Sequence, residues 1–327
     1  MASFRAALGL LLVLLLAAAP APAQERPRKV RAAYSAISGA MLPAWVAAER
    51  GLFAKHGLDV ELSYIAAGPK LLGALLSGEL QFGVLGHQGV DAAAAGGEVV
   101  YVASGLDRLV FYLFARPAIQ RVEDLRGKRI AATRANAVSD IAARTALRMH
   151  GLEPMRDATI LYVGGIPEVL AAIIAGRVDA GTISPPTSLQ ARKAGLRQVA
   201  DVSGTPSIQS AVVTTRAYAT QAAATTAGFV KAWTEAISVI HRDKPFALKV
   251  ISQYTRADDP EIMEETYRTM APHFKRAPAP PVEVIQTHLR ELQQRDERAR
   301  GLRAEDLVDA RFVRELEESG FIAGLYR

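Results

Sequence analysis

The chain has 327 residues and a mild positive charge, with 39 Lys and Arg against 33 Asp and Glu, and it contains no cysteine. The lack of cysteine excludes disulfides, a thiolate nucleophile and cysteine-ligated metal sites. The basic residues are scattered among acidic ones without a basic, aromatic stripe, which argues against nucleic-acid binding but is compatible with an anionic ligand. A chain of this length usually divides into two domains.

Residues 1–23 have the pattern of a secretory signal peptide. Arg5 supplies the positive start, an apolar run follows from Leu8 to Ala19, and Ala21-Pro22-Ala23 fits the cleavage pattern. The run is too short for an ordinary membrane span, with a retained signal anchor as the alternative. We therefore expect residues 1–23 to be removed and the protein to be soluble in the periplasm.

The first part of the chain alternates strands with helices. Alternating side chains at 58–65 are typical of a half-buried strand, Pro69 suits a first helical turn, and Gly78 suits a helix end. The predicted elements are strand 29–34, helix 42–50 with a further turn to 56, strand 58–65, helix 69–77, strand 80–85, an alanine-rich helix ending at 96–97, and strands 99–103 and 109–115.

A second alternating series begins after Arg116-Pro117, and helices dominate after residue 220. Ser139 is predicted to be the N-cap of its helix, and strand 210–215 is expected to return to the first lobe. The predicted elements are strand 129–133, helix 139–150, strand 159–163, a helix within 162–184, a helix ending at 195, strands 198–202 and 210–215, and helices 222–242, 245–254, 260–274 and 282–294.

Two stretches of the chain repeat one pattern without a gap. YIAAGPKLLGALLSGELQFGVLG at 64–86 aligns with YVGGIPEVLAAIIAGRVDAGTIS at 162–184, and HGL precedes each copy. Each copy predicts a strand, a turn, a helix and a second strand, which is a βαβ unit. The likeness predicts two similar lobes around a cleft, although shared composition is an alternative explanation. We predict lobe 1 from residues 24–115 and 214–327, and lobe 2 from residues 116–213.

Alternating strands and helices predict α/β lobes with mainly parallel sheets. Ligands of such sheets bind beyond the carboxyl ends of strands, where helix N-termini favour anions. The turns at these positions are 35–41, 67–70, 86–89, 133–139, 164–167 and 184–187. The candidate ligand contacts are Ser38, Gly39, Gly68, Pro69, His87, Gln88, Arg134, Asn136, Gly165 and Ser184.

Each candidate has a chemical reason and a plainer alternative. Arg134 could hold a carboxylate, sulfonate or phosphate through two hydrogen bonds, or be a solvated loop charge. Gly68 and Gly165 could allow close backbone approach, or serve only the turns. Ser38 could bind ligand or cap a helix, and His87 could be packed without a role.

Signals of enzymatic chemistry are poor. The chain has no GxSxG, HExxH, GxxxxGK[ST] or GxGxxG motif. The six histidines are far apart and form no zinc-spaced pair. These observations predict a protein that is not an enzyme, with no cofactor and no metal site.

The segment PAWVAAERGLFAKHGLDVEL at 43–62 resembles the periplasmic substrate-binding proteins of ABC importers of the sulfonate, nitrate and taurine type, which include thiamine-precursor-binding relatives. LLGALLSGELQFGV, DLRGKRIA, IIAGRVDAG and VDARFVRELEESGFI extend this resemblance over nearly the whole chain beyond residue 23. It implies a type II periplasmic-binding fold, with two α/β lobes around a cleft and a helical C-terminal region.

The resemblance also implies the function. A monomer would capture a small molecule and deliver it to a membrane permease driven by a separate ATPase, with hinge residues near 114–116 and 213–215. Arg134 favours an anion, although the turns match no single substrate class. An exported enzyme on the same fold and a sensor module are the alternatives; the missing nucleophile and cofactor motifs oppose the first, and the missing signalling segments oppose the second.

Overall fold

The computed structural model describes residues 27–66, 68–294 and 296–327. The predicted leader, residues 1–23, lies outside the described residues, as does Ala67 of the first repeated turn. Across the described ranges, no helix combines the length and apolar character needed to span a membrane.

The first series of elements follows the predicted alternation. Gly51 and Gly78 adopt positive φ angles of 67° and 77° where helices end, a conformation that glycine adopts without steric cost. The elements are β1 Arg28–Tyr34, α1 Leu42–Glu49, α2 Leu52–Lys55, β2 Leu58–Tyr64, α3 Gly68–Leu76, β3 Phe82–Leu85, α4 Gln88–Ala94 and β4 Val99–Arg108, with a short 3₁₀ helix at Gly39–Met41.

The second series contains five more strands. Its elements are β5 Tyr112–Ala115, β6 Arg129–Ala132, α5 Val138–Met149, β7 Thr159–Tyr162, α6 Ile166–Ile174, β8 Ala180–Ile183, α7 Thr187–Lys193 and β9 Arg197–Asp201, with a 3₁₀ helix at Val122–Leu125. Ser139 lies inside α5, and Ala137 with an extended backbone is its N-cap, so the predicted N-cap was wrong. Ser139 Oγ instead accepts a hydrogen bond from Thr133 N across the turn.

The remaining chain is one long strand followed by helices. The elements are β10 Pro206–Thr215, α8 Arg216–Gln221, α9 Ala223–Arg242, α10 Lys244–Thr255, α11 Pro260–Met270, α12 Val282–Gln293, α13 Arg311–Glu318 and α14 Phe321–Gly324, with 3₁₀ helices at Ala271–His273, Glu297–Ala299 and Ala304–Leu307. On α9, Phe229, Trp233, Ile237 and Ile240 are fully buried, as the helical spacing of apolar residues predicts.

The strands form two five-stranded sheets with equivalent topology. The orders are β2-β1-β3-β10-β4 and β7-β6-β8-β5-β9. The first three strands of each order pair in parallel, and β10 or β5 then enters antiparallel to its neighbours. The α/β prediction and the return of 210–215 to the first sheet are therefore confirmed, whereas each sheet is mixed, with two parallel and two antiparallel pairings.

The repeated sequence corresponds to a repeated structure. Helices α3 and α6 are both nine residues long, at Gly68–Leu76 and Ile166–Ile174, and the strands β3 and β8 that follow are both four residues long. Each copy occupies the same place in its sheet. The prediction that the two repeated segments adopt the same structure is confirmed.

The chain changes sheets earlier than the sequence suggests. Tyr112–Ala115 pairs with β8 and β9 of the second sheet, although residues up to 115 were assigned to the first lobe. The first sheet likewise regains the chain at Pro206. The two connections bond to each other: Leu109 N donates to Thr205 O at 2.9 Å, and Gly204 N donates to Leu109 O at 2.9 Å. The predicted hinge positions, 114–116 and 213–215, thus lie inside or next to sheet strands instead.

Candidate functional site

A cavity lies between the strand-to-helix turns of the two sheets. Its volume is about 40 Å³, room for about three water-sized groups at roughly 10–15 Å³ each. Helices α3, α4, α5 and α6 all begin at residues in or beside its wall. It is lined by Ser35, Ala36, Ser38, Ala40, Met41, Tyr64, Gly68, Gln88, Phe111, Thr133, Ala137, Val138, Ser139, Gly164, Gly165, Ile166 and Gln209.

Four of the ten predicted contacts line this cavity. They are Ser38, Gly68, Gln88 and Gly165. The other six, Gly39, Pro69, His87, Arg134, Asn136 and Ser184, are not among its lining residues. The turns were therefore located more accurately than the side chains that face the cavity.

Ser38 connects the first lobe to the second. Its buried Oγ lies 3.1 Å from Ser184 Oγ, and it also accepts from Ala40 N at 3.4 Å as the cap of the short 3₁₀ helix. One buried hydroxyl therefore both caps the short 3₁₀ helix and contacts the second lobe. Ser184 contributes to this closure of the cleft.

Gly39 makes an interlobe bond through its backbone and packs closely against a helix. Its N–H donates to Pro185 O at 3.1 Å. A β-carbon at this position would lie 2.8 Å from the side chains of Met270 and Thr266. The close approach seen here is therefore to α11, and the predicted approach of Gly39 to a ligand stays a prediction.

Gln88 bridges the cleft from the start of α4. Its Oε1 accepts from Gly86 N at 3.0 Å, and its Nε2 donates to Asn136 O of the opposite lobe at 2.9 Å. Gly68 lies against this amide, because a β-carbon there would be 2.4 Å from Gln88 Oε1. The glycine therefore makes room for Gln88, while the neighbouring Pro69 is half-buried in the first turn of α3.

The second-lobe turn at Gly165 has a similar constraint. Gly165 N donates to Glu168 Oε2 at 3.0 Å, and a β-carbon at Gly165 would meet that oxygen at 2.5 Å. The same β-carbon would lie 3.3 Å from Tyr64 Oη across the cleft. A side chain here would therefore disturb both the helix start and the approach of the lobes.

Arg134 and Asn136 are exposed. Asn136 adopts a φ of 56°, and its N–H donates to Asp140 Oδ2. Burial raises the pKa of Tyr64, Glu168 adds to that rise, and Arg134 opposes it. Arg134 does not line the cavity, and its predicted contact with an anionic ligand stays a prediction.

His87 is buried but directed to another cluster. Its Nε2 lies 3.7 Å from Asp91 Oδ2, and its ring centroid lies 4.7 Å from that of His288. The prediction of no metal site rested on sequence spacing, which cannot reveal a pair 201 positions apart. Folding brings these two histidines together with Asp91.

Sequence reasoning missed several cavity residues. Thr133 and Ser139 share a hydrogen bond between their hydroxyls at 2.7 Å, and Phe111 comes from the connection between the sheets. Gln209 lies on β10, where the alternation of a fully buried strand gives no sign of a ligand group. Tyr64 and Ser139 were inside segments already singled out, so their polarity was the available signal.

The wall combines neutral polar groups with apolar surface. Among the described residues that line the cavity, none has an ionised side chain. Hydroxyls and amides can donate to ligand oxygens, and helix N-termini add partial positive charge. Ala36, Met41, Phe111 and Val138 supply apolar surface for a hydrocarbon part.

Comparison with known proteins assigns the family. Residues 38–244, more than half of the chain, match the family described as NMT1/THI5 like. The chain belongs to the NMT1/THI5-like family. The matched range includes all ten predicted contacts of this NMT1/THI5-like chain.

Relatives of this NMT1/THI5-like chain include binding proteins of Brucella abortus and Brucella suis. They are 28% identical to it over 141 residues, which is 42% of this chain and 42% of each relative. The match therefore spans less than half of the length of these curated relatives.

Solved structures share the fold. The alkanesulfonate-binding protein SsuA of Xanthomonas axonopodis pv. citri, bound to MOPS, has a TM-score of 0.73 and 23% identity, with 87% of this chain and 99% of that chain covered. The periplasmic nitrate-binding protein NrtA of Synechocystis PCC 6803 has a TM-score of 0.76 and 13% identity, with 91% of each chain covered. The predicted periplasmic-binding fold is confirmed.

Proposed function

We propose that this chain is the extracytoplasmic solute-binding component of an ABC importer. Exported by its predicted leader, the monomer holds a small organic anion between its lobes and delivers it to a membrane permease driven by an ATPase. Family membership supports this role, as do structural neighbours described as binding alkanesulfonate and nitrate. The cavity between the lobes supplies the place for the solute.

The observation that carries the proposal is the amide of Gln209. This cavity-lining side chain is 3% exposed, and its Oε1 accepts from Val110 N. Its Nε2 has no hydrogen-bond partner in the part of the chain that the structure describes. A buried donor left in this way costs about 1–3 kcal/mol, which a ligand oxygen would remove.

The surroundings favour an anion held by neutral donors. Cavity hydroxyls, the free Gln209 donor and four nearby helix N-termini all suit a group that only accepts hydrogen bonds. The volume of about 40 Å³ suits a compact head group, such as a sulfonate or carboxylate. Arg134, exposed in the turn that follows β6, would then attract the solute before closure.

An enzyme on the same fold is the rival hypothesis. The hydroxyls of Ser38 and Ser139 are bonded to other hydroxyls and to backbone groups of the described chain. A serine nucleophile requires an adjacent general base, and neither contact supplies one. The cavity is therefore better suited to capture than to hydrolysis.

The proposal is tested with pairs of solutes that share a shape but differ in charge. Tag-free protein beginning at residue 24 is titrated with benzenesulfonate against benzenesulfonamide, benzoate against benzamide, and with nitrate and short alkanesulfonates. We expect at least one anion to raise the melting temperature by mass action and its neutral partner to have a smaller effect.

Binding of neutral partners alone would overturn the anion class but leave solute capture intact. Turnover of a bound compound would favour the enzyme instead, and no binding by any member would contradict capture of these solutes. Delivery is tested in cells of the source organism, where deletion of the gene should abolish ATP-dependent uptake of the identified solute.

A further inference from the structure

A histidine–carboxylate cluster lies outside the cavity, between α4 and α12. His87 immediately precedes α4, Asp91 is one turn further along, and His288 lies on α12. His288 Nε2 is 3.3 Å from Asp91 Oδ1, and His87 Nε2 is 3.7 Å from Asp91 Oδ2. Each carboxylate oxygen thus faces one imidazole.

We propose that His87, Asp91 and His288 form a binding site for Zn²⁺ that joins α4 to α12. Their potential ligand atoms all lie within 4.8 Å of one another. Ligand atoms around tetrahedral zinc are separated by about 3.3 Å, given metal–ligand bonds of about 2.0–2.1 Å. Two of the separations are already near that value, and small side-chain rotations would bring in the third.

The donor set and burial both suit a zinc ion. Imidazole nitrogens and a carboxylate oxygen are ordinary zinc ligands, and imidazole favours zinc over magnesium or calcium. The side chains of His87 and His288 are largely buried, whereas that of Asp91 is 26% exposed. The ion, and a water as its fourth ligand, would therefore reach the site from solvent at Asp91.

The three groups of the cluster are spaced more widely than direct hydrogen bonds between them would require. A separation of 3.7 Å between His87 and Asp91 exceeds hydrogen-bond length, and 3.3 Å between His288 and Asp91 is at its long end. An ion between the three groups would use all of them at once. Because none of the three lines the cavity, zinc would fasten the helices without contacting the solute.

The experiment measures Zn²⁺ binding to tag-free protein after treatment with a chelator, by calorimetry and by competition with a colorimetric zinc indicator. We expect one saturable site. His288→Gln should weaken binding by at least about 10- to 100-fold, since even outer partners of metal ligands have effects of that size. Asp91→Asn should weaken it similarly.

His150→Gln is the matched control, because His150 is exposed and lies 3.5 Å from Glu123, another histidine–carboxylate pair. It should leave the affinity unchanged. Zinc should also raise the melting temperature of the wild type and of His150→Gln but not of His288→Gln. Absence of a saturable site, or equal affinity in wild type and a folded His288→Gln, would overturn the proposal. Circular dichroism establishes whether the variants are folded. If Asp91→Asn is not folded, the comparison of wild type with His288→Gln tests the proposal by itself.

Discussion

At the scale of single residues, the cavity depends on amides and hydroxyls whose bonds are specified by the fold. Gln88 uses both ends of its amide, one within its own turn and one across the cleft. Gln209 uses one end, on Val110 N, and its other end is the available donor. The difference between these two glutamines is what makes Gln209 the best candidate to contact a ligand.

Replacing Gln209 with Glu tests that assignment. The carboxylate can still accept from Val110 N, but the donor is lost and a negative charge faces the anion. Loss of a hydrogen bond to a charged group is worth about 1.5–3 kcal/mol, so affinity for the identified anion should fall about 10- to 100-fold by calorimetry. The loss should grow between pH 5 and 8, as the introduced carboxyl ionises.

Gln221→Ala is the control for this variant, because Gln221 is exposed at the end of α8. It should leave the affinity unchanged. If folded Gln209→Glu bound the anion as tightly as the wild type at pH 8, Gln209 would not contact the ligand.

At the scale of elements, the family motif at 43–62 contributes to the packing of the first lobe. In the AKHG portion of that motif, Lys55 Nζ lies 2.5 Å from Glu235 Oε1, and His56 Nε2 lies 2.8 Å from Glu235 Oε2. Glu235 belongs to α9, so the motif fastens the α2–β2 corner to the long helix. This part of the motif does not line the cavity. The motif therefore predicts the fold but gives little information about the ligand.

The acid sensitivity of this contact is testable with Glu235→Gln. Burial would raise the pKa of Glu235, but hydrogen bonds and charges from Lys55 and His56 outweigh it and lower the pKa below 4.5. A depressed carboxyl pKa gives stability that is present above the unfolded pKa and is lost as pH falls through the folded value. The variant should therefore be less stable than wild type at pH 7. The difference in free energy of unfolding between the two proteins should become smaller below pH 4.5.

Urea unfolding at pH 7 and at pH 3.5 gives the two free-energy differences. Glu79→Gln, at an exposed carboxylate, should show little difference from wild type at either pH. If Glu235→Gln lowered the free energy of unfolding by the same amount at both pH values, the role assigned to the ion pair would be contradicted.

Elements were predictable where the signal is local. The repeated unit fixed two helices and their flanking strands, because apolar spacing, turn residues and register agree within about 20 residues. The sheet to which Tyr112–Ala115 belongs was not predictable, because an apolar strand has the same pattern in either sheet. The pairing of His87 with His288 and the direction of Gln209 likewise depend on contacts between distant segments.

At the scale of the whole molecule, four polar contacts among the described residues join the lobes beside the cavity. They are the Ser38–Ser184 hydroxyl pair, Ser38 Oγ to Pro185 O, Gly39 N to Pro185 O, and Gln88 Nε2 to Asn136 O. We expect these contacts to break, and the lobes to part, when a solute enters the cavity. The paired connections near Leu109 and Thr205 are the place where that motion would occur.

A reversible crosslink tests the need for opening. Ser38→Cys combined with Ser184→Cys places two thiols where the hydroxyl oxygens are 3.1 Å apart, in a chain that has no other cysteine. Oxidation in the absence of solute should abolish or greatly slow binding of the identified anion, and reduction should restore it. Stopped-flow fluorescence measures the association rate, with each single variant as control.

Each single cysteine variant should respond to neither oxidant nor reductant. Rapid binding by the fully oxidised double variant would mean that solute enters without separation of the Ser38 and Ser184 turns. The outcome therefore bears on the route into the cavity, independently of which anion is bound.

The position of β10 has a consequence for how the protein is made. Every strand of the second sheet lies within residues 112–201, so that sheet has all its strands once this stretch has been synthesised. The first sheet lacks its link between β3 and β4 until residues 206–215 arrive. During vectorial synthesis or export, the part of the chain that emerges first therefore waits for a later one, and the middle of the sequence can become native before its beginning.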